Sequence, residues 1–332
     1  MHDVEHQITA GAVMRAAVLR ALGEAPRCEE VPLPRAAEDE EVVRVTACPL
    51  TNLDRARAAG THFSAPTRLP AVCGASLAAG TLPDGSRVLF RAPGGAMAEW
   101  AVTRRAWCSP IPDSVDDAVA AAVQNPGVSA WNALEWRAGL RPGESVLVLG
   151  ATGVAGQLAV QIAKHLGAGR VVAAGRNPRV LAELPALGAD AVVRLDRPDD
   201  AVRHALRAAA GDQDFDVVLD YLWGRPAEVF VSTLGSADME LRFSRTRLVQ
   251  IGVMAGPTLN LSAEVLRSSG LEIVGSGTGN APPAEVLAGA LDQVLGLLAD
   301  GVLRMEVSRV PLTRVRDVWD LDQRGRRTVL MP

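Results

Sequence analysis

Gly150-Ala151-Thr152-Gly153-Val154-Ala155-Gly156 stands directly after the apolar segment Ser145–Leu149 and directly before a helix-like segment at 157–166. In this context the first two glycines permit a tight turn and a close backbone approach to a diphosphate, and the third lets the helix pack closely on the strand. The helix N-terminus adds N–H groups and the positive end of its dipole. The stretch therefore predicts a dinucleotide-binding site. A glycine turn that only packs a helix onto a sheet is the alternative.

The hydrophobic pattern on either side of this turn predicts two domains in 332 residues. From 125 to 280, continuous apolar segments alternate with amphipathic ones, which is typical of an α/β fold, a doubly wound parallel Rossmann sheet with helices on both faces. Residues 14–124 instead contain short β-like segments separated by glycine and proline, which predicts a small, mostly β domain with the shape of a distorted barrel. Residues 1–13 precede both domains as an N-terminal extension.

The composition excludes several classes of function. Lys plus Arg number 34 and Asp plus Glu 38, so the net charge is −4 and no basic excess exists to neutralise nucleic-acid phosphates. No stretch reaches about 18 consecutive apolar residues, and residues 1–13 lack the basic start and apolar run of a signal peptide. The four cysteines, at 28, 48, 73 and 108, form no C-x-x-C pair. We therefore expect a cytoplasmic protein without a membrane span, a nucleic-acid partner or a disulfide framework.

The end of the second apolar segment discriminates between the two nicotinamide dinucleotides. An acidic residue at this point would bind the ribose 2′-hydroxyl of NADH, whereas the chain reads Ala174-Gly175-Arg176-Asn177 and offers no carboxylate. Arg176 can clamp a 2′-phosphate through charge-assisted hydrogen bonds, with help from Arg179. The segment therefore favours NADPH. A solvated arginine at a loop tip is the alternative.

Together, these patterns make the sequence resemble the medium-chain dehydrogenase/reductase superfamily, over residues 14–330. The run Val146-Leu-Val-Leu-Gly-Ala-Thr-Gly-Val-Ala-Gly156 is most similar to its quinone oxidoreductase branch. The resemblance implies a GroES-like catalytic domain of residues 14–124 and 281–332 beside the Rossmann domain of residues 125–280. It also implies a homodimer that pairs through the edge strand at 272–275. The other matching motifs are Met14-Arg-Ala-Ala-Val-Leu19, Pro110-Ile-Pro-Asp-Ser114, Asn125-Pro-Gly-Val-Ser-Ala-Trp131, Leu187-Gly-Ala-Asp190 and Arg247-Leu-Val-Gln-Ile-Gly252.

Because the superfamily includes zinc alcohol dehydrogenases, the residues that match their metal ligands decide whether zinc is expected. Thr51 stands where those enzymes have a ligand cysteine, and Ala75 replaces the ligand histidine in Gly74-Ala75-Ser76. Cys48 lies three residues too early and reads as a small buried apolar residue. Zinc needs several Cys, His or carboxylate ligands close together. We therefore predict a zinc-independent site without a metal ligand.

The resemblance also assigns the contacts of the dinucleotide. Asn125 is expected below the nicotinamide ribose, and the segment that begins at Tyr221 ends a strand at the ligand-binding edge of the sheet. Backbone groups near 251–253 and 276–277 are expected to reach the carboxamide. The full set of predicted cofactor-binding residues is Asn125, Gly150, Ala151, Thr152, Gly153, Val154, Ala155, Gly175, Arg176, Asn177, Tyr221, Ile251, Gly252, Val253, Ser276 and Gly277.

Without a metal, the chemistry implied is hydride transfer from NADPH to an activated double bond or a quinone. Conjugation activates such acceptors, so one hydrogen bond to the developing enolate oxygen supplies useful stabilisation. Thr51, Asn52 and His62 are the candidate donors, although His62 also fits a solvent-exposed loop residue. Asp54 is interpreted as a carboxylate that fixes its loop. The only tyrosine is Tyr221, so the N-terminal domain contains no tyrosine acid.

Two other functions remain open at this point. One is reduction of a carbonyl or an iminium group in a biosynthetic pathway. The other is a non-enzymatic protein that binds NADPH with little turnover. The substrate is expected to be a small molecule in either enzymatic case.

Overall fold

The computed structural model describes residues 11–211, 214–234, 245–321 and 325–332. The chain divides into two compact units, which we call the β unit, up to Asn125 together with Met305–Pro332, and the α/β unit, Pro126–Arg304. Most of the predicted N-terminal extension lies outside the described residues, and the first strand begins at Val13.

The elements alternate along the chain as follows. The strands are β1 (Val13–Leu19), β2 (Arg27–Pro32), β3 (Glu41–Pro49), β4 (Ala71–Val72), β5 (Ala78–Thr81), β6 (Arg87–Phe90), β7 (Trp100–Thr103), β8 (Cys108–Pro110), β9 (Ser145–Leu149), β10 (Arg170–Gly175), β11 (Ala191–Arg194), β12 (Val217–Asp220), β13 (Arg245–Gln250), β14 (Gly270–Gly275), β15 (Val307–Pro311) and β16 (Arg327–Met331). The helices are α1 (Asn52–Ala58), α2 (Asp117–Asn132), α3 (Val154–His165), α4 (Pro178–Glu183), α5 (Asp199–Ala210), α6 (Gly224–Val231), α7 (Ala263–Ser268), α8 (Ala284–Ala299) and α9 (Val315–Val318). No helix among the described residues is both long and apolar enough to span a membrane.

Short, mainly antiparallel strands form the β unit. One sheet follows the order β15-β16-β3-β5-β6-β8, with β7 also paired to β3, and a second sheet has the order β2-β1-β4. Strand β3 pairs with β5, β7 and β16, and its inward residues are buried. Phe90, Leu50 and Met97 are fully buried in the core of this unit. The predicted mostly β domain is confirmed.

A six-stranded sheet forms the centre of the α/β unit. Its order is β11-β10-β9-β12-β13-β14, and every pairing is parallel. Strands β9 and β12 are buried almost throughout because both faces of the sheet are covered, which explains their continuous apolar sequences. All the carboxyl ends lie at one edge, where doubly wound sheets bind their ligands. This arrangement confirms the predicted Rossmann sheet.

The C-terminal residues Met305–Pro332 belong to the β unit, whereas the α/β unit extends to Arg304. Strand β16 pairs with β3, whereas α8 belongs to the α/β unit. Near this boundary, the Gln161 amide of α3 donates to the carbonyl of Arg304 (3.0 Å) and accepts from the Arg304 N–H (2.8 Å). These two bonds join the chain after α8 to helix α3.

The C-terminal end of α3 carries the only lysine of the protein. The Nζ atom of Lys164 lies 2.6 Å from Oδ2 of Asp190, and the same oxygen accepts the N–H of Val171 at 2.6 Å. A carboxylate that follows β10 in sequence thus joins the helix to the first residues of that strand.

Candidate functional site

The glycine turn joins β9 to α3 at the carboxyl edge of the sheet. Gly150 has φ +94°, a left-handed conformation that favours glycine. The N–H groups of Gly150 and Ala151 both donate to the carbonyl of Ala174 at 2.9 Å, and the Gly153 N–H donates to Gly150 O at 3.0 Å. Gly153 precedes α3 without a side-chain cap, so the first N–H groups of the helix receive no side-chain acceptor from this position. An anion can accept them instead.

Gly156 packs α3 directly against the backbone of the turn. A Cβ at this position would overlap the carbonyl oxygen of Gly150 and stand 2.6 Å from Ala151 Cα. Both contacts are with backbone, which cannot rotate away. The helix therefore approaches the strand closely only because residue 156 has no side chain. Val154 and Ala155 form the half-buried first turn of α3.

The end of β10 lies beside the turn. A Cβ on Gly175 would meet Thr152 Cγ2 at 2.5 Å, so Thr152 lies directly over this glycine. Arg176 follows, exposed, and it pairs with no carboxylate of the described ranges. Asn177 is the N-cap of α4, and its Oδ1 accepts the N–H groups of Arg179 (3.1 Å) and Val180 (3.4 Å). Asn177 thus has a structural role at this edge, and Arg176 remains available for a ligand.

The loop after β12 carries buried polar atoms toward the same edge. Asp220 is fully buried, its Oδ1 accepts the N–H groups of Leu222 (2.8 Å) and Trp223 (2.9 Å), and burial raises the pKa of its carboxyl. Tyr221 is 9% exposed, and burial raises the pKa of its hydroxyl. Asp220 Oδ2 and the Tyr221 hydroxyl have no hydrogen-bond partner within the part of the chain that the structure describes. Trp223 has φ +56°, a strained conformation for a side chain of this size.

The turns that follow β9, β12 and β13 contact each other. A Cβ on Gly150 would lie 3.2 Å from Tyr221 Cβ, and one on Gly252 would overlap the Tyr221 carbonyl. Ile251 and Gly252 donate to the Asp220 carbonyl at 2.8 and 3.1 Å. The predicted cofactor-binding residues at the ends of β9, β12 and β13 therefore form one continuous group.

The remaining predicted contacts occupy the end of β14 and helix α2. The Ser276 N–H donates to the Gln250 carbonyl at 2.8 Å, and Gly277 is exposed beside it. Val253 is 57% exposed. Asn125 is exposed inside α2, directly before Pro126, where the proline lacks the N–H that a helix needs. Asn125 is thus part of a helix that continues through Pro126.

A dinucleotide fits the edge of the α/β unit on these observations. Backbone N–H groups, glycines without room for a Cβ and an exposed arginine suit the diphosphate and an additional phosphate. The polar atoms of the β12 loop border the same turn. The fit rests on the α/β unit alone.

In the β unit, Thr51 caps helix α1 through a reciprocal pair of bonds with Asp54. Thr51 Oγ1 donates to Asp54 Oδ2 at 2.6 Å and accepts the Asp54 N–H at 3.2 Å, and the Thr51 N–H donates to the same carboxylate at 2.9 Å. This is a capping box, with aspartate in the position that glutamate usually takes. Ser76 Oγ lies 3.3 Å from Thr51 Oγ1.

Asp54 fixes the loop, as the sequence predicts. Its side chain is 3% exposed, and Oδ1 accepts the Ala75 N–H at 2.8 Å. Burial raises the pKa of the Asp54 carboxyl, and the bonds from Ala75 and Thr51 oppose that rise. The carboxylate therefore joins the start of α1 to the loop at 74–76.

The same loops contain the positions that would ligate zinc. Thr51, Ala75 and Ser76 lie within this hydrogen-bonded cluster, while Cys48 is fully buried and its thiol pKa is raised well above the ordinary value. No group of three or more Cys, His, Asp or Glu side chains in the described ranges is arranged to hold a metal. Zinc independence stays a prediction.

The other two candidate donors lie at the start of α1 and beyond its end. Asn52 is exposed in the first turn of α1. His62 is half-buried, its Nδ1 lies 2.8 Å from Ser64 Oγ, and its ring centroid is 4.3 Å from that of Phe63. The sequence did not single out Ser64, because a hydroxyl two residues from a histidine is common in loops.

Sequence reasoning also missed the partial burial of Arg327. Its guanidinium donates to the Leu50 carbonyl at 3.3 Å, and burial lowers its pKa to about 10, partly offset by the nearby Asp54 charge. Arg326, its neighbour, is exposed and pairs with Glu306 at 2.7 Å. The adjacent arginines thus differ in environment: Arg326 precedes β16, whereas Arg327 is its first residue.

Comparisons with known proteins show what the chain resembles. The family described as zinc-binding dehydrogenase matches residues 154–295. A probable NADPH-dependent quinone reductase, tdiC, of Emericella nidulans is 30% identical over 231 residues, which cover 66% of this chain and 63% of the relative. The quinone oxidoreductase-like protein 2 of Bos taurus is 28% identical over 59% of this chain and 53% of its own length. The chain thus spans less than two thirds of these curated relatives.

Solved structures match over nearly the whole chain. AibC superposes with a TM-score of 0.83 at 25% identity, covering 100% of this chain and 98% of AibC. The quinone oxidoreductase of Thermus thermophilus, whose structures include a complex with NADPH, gives a TM-score of 0.75 at 28% identity, covering 96% and 100% of the two chains.

The close packing at Gly156 predicts a specific loss of stability. We expect Gly156→Ala to lower the free energy of unfolding by about 1–3 kcal/mol, because the added methyl group meets backbone. Gly289→Ala in α8 is the matched control: its Cβ would meet nothing within 4 Å, so alanine should stabilise the helix by about 0.5–1 kcal/mol. Urea titrations followed by circular dichroism measure both. Equal stability of Gly156→Ala and the parent would refute the packing argument.

Proposed function

Because the chain belongs to the medium-chain dehydrogenase/reductase superfamily, in its quinone oxidoreductase-like branch, we propose that it is an NADPH-dependent, zinc-independent oxidoreductase. It pairs a Rossmann domain with a GroES-like domain, as the related structures do. The proposed reaction is hydride transfer to an activated double bond or a quinone.

One observation carries the proposal: the glycine turn at 150–156 and the exposed Arg176 lie at the same edge of the parallel sheet. The N-terminus of α3 suits the diphosphate, and Arg176 suits a 2′-phosphate. The relative tdiC is described as a probable NADPH-dependent quinone reductase, which supports the same cofactor. A 2-methylene-furan-3-one reductase of Solanum lycopersicum, 29% identical over 49% of this chain and 46% of its own length, supports an enone as acceptor.

When bound, NADPH supplies a hydride from its nicotinamide ring. The chain's own residues then have three tasks: to bind the phosphates, to orient the acceptor and to stabilise negative charge on its oxygen. In this proposal, the glycine turn and Arg176 bind the phosphates. The loops at 220–223, 251–253 and 276–277 border the turn or lie at the same edge of the sheet. Asn125 is proposed as a ribose contact.

Hydrogen-bond donors of the β unit are proposed to stabilise the negative charge on the acceptor oxygen. Thr51 has one hydroxyl proton, and Asp54 Oδ2 accepts it at 2.6 Å. Thr51 is therefore better suited to position the loop than to donate to a substrate. Asn52 and His62 then supply the proposed hydrogen bonds to the developing enolate, each contributing up to a few kcal/mol in a dry site.

Turnover tests the proposed activity. Purified protein is mixed with NADPH and, separately, with quinones, enones, carbonyl compounds and cyclic imines, and the loss of NADPH absorbance is followed. We expect turnover with quinones or enones that withstands a zinc chelator. Turnover confined to carbonyl compounds or imines would favour the carbonyl or iminium reductase, and NADPH binding without any turnover would favour the non-enzymatic alternative.

The proposed 2′-phosphate contact predicts a change in cofactor preference. Arg176→Ala should raise the KM for NADPH about 10- to 100-fold, since a hydrogen bond to a charged group contributes about 1.5–3 kcal/mol. The KM for NADH should stay unchanged. Arg170→Ala, at the opposite end of the same strand, is the control and should alter neither constant. A parallel rise for both cofactors would reject the assignment.

We also propose a homodimer that pairs through β14. This strand is an edge of the six-stranded sheet, and the exposed Val253, Met254 and Leu266 lie on segments that flank it. An open apolar edge invites pairing. Val274→Arg on β14 should give a monomer in sedimentation experiments, whereas Val192→Arg on the opposite edge strand β11 should leave the dimer intact. A monomeric parent protein would overturn the proposal.

A further inference from the structure

A small polar cluster follows the end of α1 and surrounds His62. Ser64 Oγ lies 2.8 Å from His62 Nδ1, and the Ser64 N–H donates to the same Nδ1 at 3.2 Å. Arg57, in the last turn of α1, donates from Nη1 to Ser64 Oγ at 3.0 Å. We call Arg57, Ser64 and His62 the imidazole clamp.

The donors of the clamp indicate where the ring proton lies. A backbone N–H can only donate, so the 3.2 Å bond from Ser64 favours an Nδ1 that accepts. Ser64 Oγ accepts from Arg57 and has its own proton to donate to Nδ1 at 2.8 Å. The two bonds together favour the Nε2–H tautomer of the neutral ring, and without the hydroxyl only the longer backbone bond favours it.

Phe63 lies beside the same ring. It is 86% exposed, and its ring centroid lies 4.3 Å from the imidazole centroid at an interplanar angle of 33°. The hydrogen bonds at Nδ1 are therefore the contacts that orient the imidazole.

We propose that Ser64, held by Arg57, is a positioning residue that fixes His62 as the Nε2–H tautomer, so that His62 offers an N–H donor to the substrate's developing oxyanion. This inference rests on the proposed function for the identity of the acceptor. Hydride addition to the β-carbon of an enone moves the π electrons onto oxygen, and the Nε2–H bond stabilises that charge. A neutral imidazole keeps its proton, so water supplies the proton that completes the saturated ketone.

Helix α1 connects the clamp to the other loop of the β unit. Arg57 lies one turn after Asp54, and its charge opposes the rise in pKa that burial causes at the Asp54 carboxyl. The helix thus holds Thr51 through Asp54 at its first turn and Ser64 through Arg57 at its last. One short helix therefore positions both loops that carry candidate donors.

The experiment reads the tautomer directly. The full-length protein is labelled with ¹⁵N-histidine, and long-range ¹H–¹⁵N spectra distinguish protonated from unprotonated ring nitrogens. The chain has five histidines, and His62→Gln assigns the signal. We expect His62 to carry its proton on Nε2 in the parent and in Ser64→Thr, which keeps the hydroxyl. Ser64→Ala should shift part of the population to the Nδ1–H form. Ser109→Ala, on β8, is the matched control and should change nothing.

Turnover provides the second measurement. Ser64→Ala should lower kcat for an enone about tenfold with the KM for NADPH unchanged, and Ser64→Thr should restore it. A proton on Nδ1 in the parent would overturn the inference, and so would a tautomer population that is unchanged in Ser64→Ala. Either result would do so even if the enzyme reduces enones. An Nε2–H ring that responds to Ser64→Ala in a protein without reductase activity would uphold the clamp and remove only the proposed function.

Discussion

Backbone contact between helix α3 and the turn before it is the constraint on which the α/β unit depends. Gly156 lies so close to Gly150 and Ala151 that no side chain fits between them. This contact fixes the helix N-terminus at the end of β9, beside the loops of β12 and β13. The turn is therefore shaped by main-chain geometry, and Arg176 lies exposed beside it.

In the β unit, a buried carboxylate fixes the loops instead. Asp54 accepts hydrogen bonds from Thr51 and Ala75, and these bonds oppose the desolvation that raises its pKa. A capping box and the imidazole clamp organise the loops at the two ends of α1 with hydrogen bonds.

The sequence predicted the parallel sheet well because its strands are continuously apolar and are separated by clear turns, as at Ser145–Leu149 and Gly150. It missed α1, whose arginine-rich seven residues have no apolar periodicity, although Thr51 and Asp54 carry a capping-box signal. The contact between Gln161 and Arg304 is tertiary and has no local sequence pattern. The clamp at His62 depends on side-chain rotamers, which composition and spacing do not encode.

The ion pair between Lys164 and Asp190 has a practical consequence. Since no other lysine exists in the chain, an amine-directed dye or surface linker has one side-chain target. That target is at the far end of α3 from the glycine turn, about 15 Å along a helix that rises 1.5 Å per residue. Attachment there requires the Asp190 contact to open, and it would orient every molecule immobilised through this side chain alike, with the glycine turn at the far end of the helix.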